Sequence, residues 1–332
     1  MTDSQTSTNY VDSADIVLPC EDVSTAAEFY TDELGFRVES VFPADAPRIV
    51  VLSGYDLRLR LEGIDPLVRH ETTTPSLVIT NFDQSGFGTG RAGMQYRDLI
   101  PDRFGGRFIA SHIRISDGGP VPDYVHHHDI HFQMIFCVNG WVRVVYEDQG
   151  EPMLMEAGDC FLQPPHIRHR VLECSDQMEV VEIASPAEHE TSADHGMELP
   201  TSILDRERDF SGQKFVFHKA SQTAWSPSFL KGFELQDTGI SNATDGVASV
   251  LVIKSTGNAS DAVLSHDAGI RFLFVLGGEA VFTCKSENHR VLSKGDSCAI
   301  PPGLACSLVE VSPDFRMLDV SIPSHQEGRS AR

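Results

Sequence analysis

Positive charge is scarce in this 332-residue chain. It has 26 lysines and arginines against 48 aspartates and glutamates, a formal charge of −22 and a pI near 4.9. Such an excess of carboxylates repels phosphate backbones and anionic bilayers, so neither nucleic acid nor a membrane is an expected partner. Long apolar runs are missing as well. No stretch approaches the roughly 20 residues needed to cross a bilayer. The opening MTDSQTSTNYVDSAD has no apolar core, so no secretory signal is expected. The seven cysteines (Cys20, Cys137, Cys160, Cys174, Cys284, Cys298 and Cys306) are odd in number and form no Cys-x-x-Cys pair. They read as small buried hydrophobes in a reducing, cytoplasmic protein.

What is present is a folded composition, 41% hydrophobic and 22% charged, long enough for two or three domains. Residues 15–62 begin with the strand-like DIVLP. A helical period follows over Val23–Leu34, with Asp22 as N-cap, Gly35 as stop, and Ala27, Tyr30 and Leu34 on one face. Three strand-like runs come next: FRVESVF, PRIVVLSG and YDLRLRLEG, the last alternating leucine with arginine. Residues 68–95 are rich in Thr, Ser and Gly and read as a linker with one strand at 76–80. From residue 96 the periodicity is two almost throughout, which predicts an all-β sandwich or barrel.

That β region repeats itself. GDCFLQPP at 158–165 returns as GDSCAIPP at 295–302, and FQMIFCVNG at 132–140 returns as IRFLFVLGG at 270–278. The near-equal offsets indicate that a whole barrel is duplicated rather than a small solenoid unit.

Four histidines crowd the stretch HHHDIHFQMIFCVNG at 126–140. On a strand His126 and His128 share a face while His127 points away, so two imidazoles can meet one ion. Gln133 opens the next strand, whose hairpin closes at Asn139-Gly140, and Pro164-Pro165 leads on to His169. The pattern His126-x-His128, four residues, Gln133, six residues, Gly140 resembles the first motif of the cupin superfamily, with Gln in place of Glu. Gly158, Pro164 and His169 resemble its second motif, with His166 at the position of a glycine.

The resemblance implies a mainly β chain with two tandem jelly-roll barrels, at 96–190 and 210–323. It also implies one divalent ion held by His126, His128, Gln133 and His169. Residues 1–67, with PCEDVSTAAEFYTDELGF, resemble a single βαβββ module of the vicinal-oxygen-chelate (glyoxalase/bleomycin-resistance) superfamily. Its ligand positions fall near Asp15 and at Glu62. Packing or homodimerisation is the expected role of this half-cup.

In the second barrel the ligand positions hold Leu264, His266, Arg271 and Cys306. Leu and Arg do not ligate a divalent cation, so this copy is expected to be metal-free, and Arg271 is open to an anionic ligand. His127 and His131 fall outside the motif, and His166 reads as a turn residue. His112, Arg114, Tyr124, Arg143 and Tyr146 lie on nearby strands, but alternation does not tell which face looks inward, so none is assigned to catalysis.

An imidazole-rich site suits Fe(II), favoured here, or Ni, Mn, Zn or Cu. The expected function is a mononuclear-metal oxygenase or dioxygenase acting on a small organic molecule. The alternatives are a non-redox isomerase, lyase or cyclase, and a non-catalytic small-molecule binder.

Overall fold

The computed structural model describes residues 14–64, 75–90, 93–285 and 289–323. The chain is mainly β and builds its barrels from pairs of facing sheets. In the first barrel one sheet carries Gly88–Thr89, Gln95–Asp98, Ile109–Ile115, Met178–Ser185, Phe132–Asn139, Cys160–Leu162 and Val216–His218. The facing sheet carries His126–His128, His169–Cys174, Trp141–Tyr146 and Met153–Glu156. Between them lie Ile113, Cys137, Phe161, Met178 and Val180 from one side and Val142, Val144, Tyr146 and Met155 from the other.

The second barrel repeats the plan. Strands Phe233–Asp237, Ser249–Ser255, Arg316–Ile322, Ile270–Gly277 and Ser297–Ile300 face Cys306–Val309, Glu279–Cys284 and Arg290–Ser293. Its interior is apolar packing around Leu264, Leu273, Phe282, Cys298, Cys306 and Leu308, with one buried ion pair, Arg271–Asp319.

The barrels meet sheet on sheet, which explains an oddity of the sequence. In Phe132–Asn139, Ile135 and Cys137 face the barrel interior while Phe132, Met134 and Phe136 bury themselves in the contact between barrels. The same contact takes Ile270, Phe272 and Phe274 from the second barrel. A strand buried on both faces loses polar alternation, so both copies read as nearly unbroken apolar runs. At ~1.5–3 kcal/mol per fully buried large side chain, this seam is a main source of stability.

The expected linker, 68–95, is not a plain connector. Val78–Thr80 lies where a strand was expected at 76–80, yet it pairs with Ser297–Ala299 of the second barrel. Symmetrically, Val216–His218 pairs with Cys160–Leu162 of the first. Each barrel thus borrows a strand from the segment leading into the other.

The repeated Gly-Asp turns anchor this exchange. Asp159 accepts from the backbone N–H groups of Glu156 (3.0 Å) and Ala220 (2.9 Å), and Asp296 from Ser293 (2.8 Å) and Phe82 (2.6 Å). The hairpin glycines Gly140 and Gly278 have φ of 72° and 67°, and a side chain at either would strike Ser175 or Ser312. All seven cysteines are free and five are buried, as expected.

Residues 16–63 have the predicted order: strand Ile16–Cys20, helix, then strands Arg37–Phe42, Ile49–Gly54 and Leu57–Gly63. Asp22 does cap the helix, accepting from Thr25 N–H at 2.9 Å. The α-helix runs only over Val23–Glu28 and continues as a π-helical turn, Phe29–Glu33. The wider turn shifts the phase, so Ala27 and Tyr30 pack on the core while Leu34 is exposed. Here the expected single apolar face was wrong.

Residues 65–74 lie outside the described residues, so the end of the 1–67 boundary does too. The sheet of this N-terminal unit does not stop at its own edge. Arg37–Phe42 pairs with Thr191–Ala193, which pairs with His126–His128, so unit and barrel share one ten-stranded sheet.

Candidate metal centre

His126 and His128 project from the short strand His126–His128 toward the barrel interior. His169, first residue of the next strand, lies directly opposite His126 in the antiparallel ladder. The three are only 1%, 8% and 3% exposed. Their ring centroids stand 4.2 Å (126 to 169), 5.2 Å (126 to 128) and 5.2 Å (128 to 169) apart. One ring nitrogen from each lies within 4.8 Å of the other two.

Their outward nitrogens are engaged. His126 Nδ1 meets the Tyr124 carbonyl at 2.8 Å, His169 Nδ1 the Ile167 carbonyl at 3.0 Å, and His128 Nδ1 the Thr191 hydroxyl at 2.9 Å. A carbonyl only accepts, so Nδ1 of His126 and His169 carries a proton, which in the neutral ring leaves the lone pair on Nε2. That is the arrangement a divalent ion requires of histidine ligands.

Gln133 is 1% exposed and shares the inward face of its strand with Ile135 and Cys137. Both its Oε1 and Nε2 are buried with no hydrogen-bond partner. An orphaned amide costs roughly 1–3 kcal/mol, so a buried pair of such atoms calls for a group that satisfies them. Three converging imidazoles, with this amide buried in the same barrel, offer donors of the type that a divalent ion takes.

The three histidines border a largely apolar cavity lined by Ile109, Ile113, Ile135, Val142, Phe161 and Met178, among others. About 90 Å³ is open to the centres of water-sized groups, enough for roughly six to nine of them at ~10–15 Å³ each. Ser111, Gln163, Glu182 and His189 contribute polar groups to its wall. Tyr146 stacks on His169, with ring centroids 5.5 Å apart, and its hydroxyl accepts from Gln163 Nε2 at 2.8 Å. Burial drives its phenol far above the ordinary tyrosine range, so it stays protonated. Burial also lowers His189, whose ring meets that of His128 edge-on at 5.6 Å.

His127, His131 and His166 lie outside the three-histidine cluster, as their places in the motif implied. His131 is exposed, and His127 is half-buried beside His166 (ring centroids 5.5 Å apart) on the far face of the strand. His166 takes a left-handed backbone with φ of 61°, as its glycine position in the motif demands. Of the five nearby strand residues left unassigned, Tyr146 lines the cavity and Tyr124 packs its ring on His126 at 5.9 Å. His112 bridges Arg97 and Glu179, Arg143 pairs with Glu173, and Arg114 stacks on Phe87.

Asp15 and Glu62 do not come together. Asp15 pairs with Arg58 and Glu62 with Arg60, and Glu62 stands opposite Pro19, at the far end of the strand that follows Asp15. In the second barrel Arg271 is engaged by a two-pronged bond to Asp319 (3.0 and 2.7 Å) and donates to the Leu264 carbonyl, so it does not wait for an anion.

Glu182, Gln163 and His189 were missed from sequence. Glu182 alone had a signal, since it alternates with inward Met178 and Val180 on one strand.

No protein-family model and no curated protein sequence matches the chain. Solved structures do resemble it. An oxalate decarboxylase variant from Bacillus subtilis is 10% identical with a TM-score of 0.54, covering 77% of this chain and 80% of its own. A glyoxylate-induced protein from Pseudomonas aeruginosa, so named in its structure as putative, is 14% identical with a TM-score of 0.54 over 82% and 97%. A salicylate 1,2-dioxygenase variant from Pseudoaminobacter salicylatoxidans, bound to gentisate, is 16% identical with a TM-score of 0.55 over 77% and 84%. The paired sheets, the three-histidine cluster and these likenesses give the chain the cupin fold.

Proposed function

We propose that the chain is a mononuclear-metal oxygenase acting on a small organic molecule, with His126, His128, His169 and Gln133 holding one divalent ion, Fe(II) by preference. The observation that carries this reading is three buried imidazoles converging at the wall of a largely apolar cavity, with the unpartnered Gln133 amide buried on an inward strand face of the same barrel. When bound, such an ion supplies Lewis acidity and, if iron, one-electron chemistry with dioxygen.

The chain's own residues set the conditions. Carbonyls at Tyr124 and Ile167 fix two imidazoles in the required tautomer. Ile109, Ile113 and Phe161 keep bulk water out. No lysine or arginine is among the described residues lining the cavity, whereas Glu182 and Ser111 are. This favours a substrate that chelates through oxygens at one end and presents an O–H or N–H to Glu182 at the other. It disfavours a dicarboxylate, whose second charge would face Glu182 without a cation.

Glu182 also supports a second reading, a non-redox isomerase or lyase, because a cavity carboxylate can take and return a proton. Fe(II)-loaded protein should be offered small catechols, enols and hydroxyketones in an oxygen electrode. Oxygen uptake supports the oxygenase. Turnover of the same panel under strict anaerobiosis supports the isomerase or lyase, and tight binding without turnover reduces the chain to a binder.

A further inference from the structure

The N-terminal unit reaches the cavity by two routes. Through the sheet, Val41 and Ser40 pair with Thr191 and Ser192, and Thr191 stands opposite His128. The Thr191 hydroxyl is the group that holds His128 Nδ1 at 2.9 Å. One strand therefore separates the unit from the ligand strand. Through space, the chain leaving Arg37–Phe42 runs on as Pro43, Ala44 and Asp45, and all three line the cavity that contains His126, His128 and His169.

This segment is fastened rather than loose. Asp45 meets Arg103 at 2.7 Å with both side chains 13% exposed, and Arg103 also holds Asp98 at 2.9 Å. Arg48 meets Glu188 at 2.7 Å, next to the wall residue His189. With the Asp45 charge met by Arg103, the wall that the unit offers is chiefly the apolar surface of Pro43 and Ala44.

We propose that Pro43, Ala44 and Asp45 form the specificity-determining wall of the metal cavity, so that the site is shared between the N-terminal unit and the first barrel. The wall takes the apolar end of the substrate, a ring edge or alkyl substituent, while the chelating end faces the histidines. This rests on the reading of the cavity as a metal-dependent substrate site, and it replaces packing as the purpose of the unit. Ala44 is the position to probe, since its methyl leaves room that a larger side chain would fill.

The test uses the full-length chain loaded anaerobically with Co(II), whose visible absorption reports the ligand field without any turnover. Two probes are titrated: azide, which is small, and 4-tert-butylcatechol, which is bulky. In Ala44→Trp the azide Kd should stay within about two-fold of the parent, and the catechol Kd should rise about ten-fold or more. Ala44→Gly should bind both at least as well as the parent. If Ala44→Trp misfolds by far-UV circular dichroism, Ala44→Leu takes its place with the same expectation. An unchanged catechol Kd in the folded bulky variant overturns the wall while leaving the metal site standing. A parent protein that shows no Co(II) spectrum overturns the metal reading, and the wall with it.

Discussion

The two barrels answer the same structural question in opposite ways. Positions 133 and 182 in the first barrel correspond by the repeat to 271 and 319 in the second. In the second, the guanidinium of Arg271 and the carboxylate of Asp319 close on each other, 7% and 5% exposed, with Leu264 and Cys306 packed nearby. Each charge of this pair is met by the other. In the first, the Gln133 amide has no partner and Glu182 faces a cavity beside three imidazoles. At these two positions the second copy closes on its own side chains, whereas the first leaves its amide open. The second barrel keeps orphaned buried atoms of its own, at His266 Nδ1 and Ser297 Oγ, so it is the orphaned amide together with the three-histidine cluster that sets the first copy apart.

The largest effect expected from breaking this contrast is loss of the ion. His126→Ala combined with His169→Ala should abolish metal binding, against about one equivalent per chain in the parent, by elemental analysis of protein prepared anaerobically without a histidine tag. Two equivalents in the parent, or retention in the double variant, would show that the second barrel or another site holds metal.

Next comes the ion pair of the second barrel. Arg271→Leu leaves Asp319 buried without its cation and should cost about 3–5 kcal/mol of stability in urea titration. The double change Arg271→Leu with Asp319→Leu should recover most of that. Metal stoichiometry should stay at about one in both. If Arg271→Leu is as stable as the parent, the pair is not the filler that the geometry suggests.

The barrels were legible in sequence because strand alternation and the repeat are local patterns, and the histidine spacing is tied to one hairpin. Gln133 stood out as the single departure in its motif. Of the polar wall only Glu182 left a trace, as one of an alternating set on its strand. Alternation tells which residues share a face, but the inward face of Met178–Ser185 depends on which sheet it opposes. Residues 43–45 were further out of reach. They line the cavity only because Arg37–Phe42 pairs with a strand some 150 residues later, and no local pattern encodes that register. The exchanged strands Val78–Thr80 and Val216–His218 were hidden for the same reason.

A smaller effect is expected at Gln133. Glutamate there replaces a neutral donor with a charged one, so Gln133→Glu should keep the ion and tighten it by about ten-fold, on the order of 1.4 kcal/mol. Turnover should nevertheless fall, because a more neutralised ion is a weaker Lewis acid. Metal titration of Gln133→Glu and Gln133→Ala decides the matter. Unchanged affinity in both would leave a centre of three histidines alone.

The smallest effect separates backbone from chemistry at His166. Its counterpart by the repeat is Gly303, and the two are built alike: φ is 61° at His166 and 73° at Gly303. The N–H of His166 donates to the His128 carbonyl at 3.2 Å, as that of Gly303 does to His266 at 2.9 Å. The position therefore serves a turn that closes over the ligand strand, and its side chain, half exposed near Asp129, is incidental. A left-handed non-glycine residue costs about 1–2 kcal/mol, which glycine relieves, but glycine loses roughly 0.5–1 kcal/mol to the greater freedom of the unfolded chain. The two nearly cancel, so His166→Gly should change stability by less than about 1 kcal/mol and leave the metal in place. His166→Val, β-branched and ill-suited to positive φ, should lose about 1–2 kcal/mol more than glycine while still binding the ion. Should His166→Gly release the metal with the fold intact, the side chain belongs to the centre, and the comparison with Gly303 fails at the point where the two barrels look most alike.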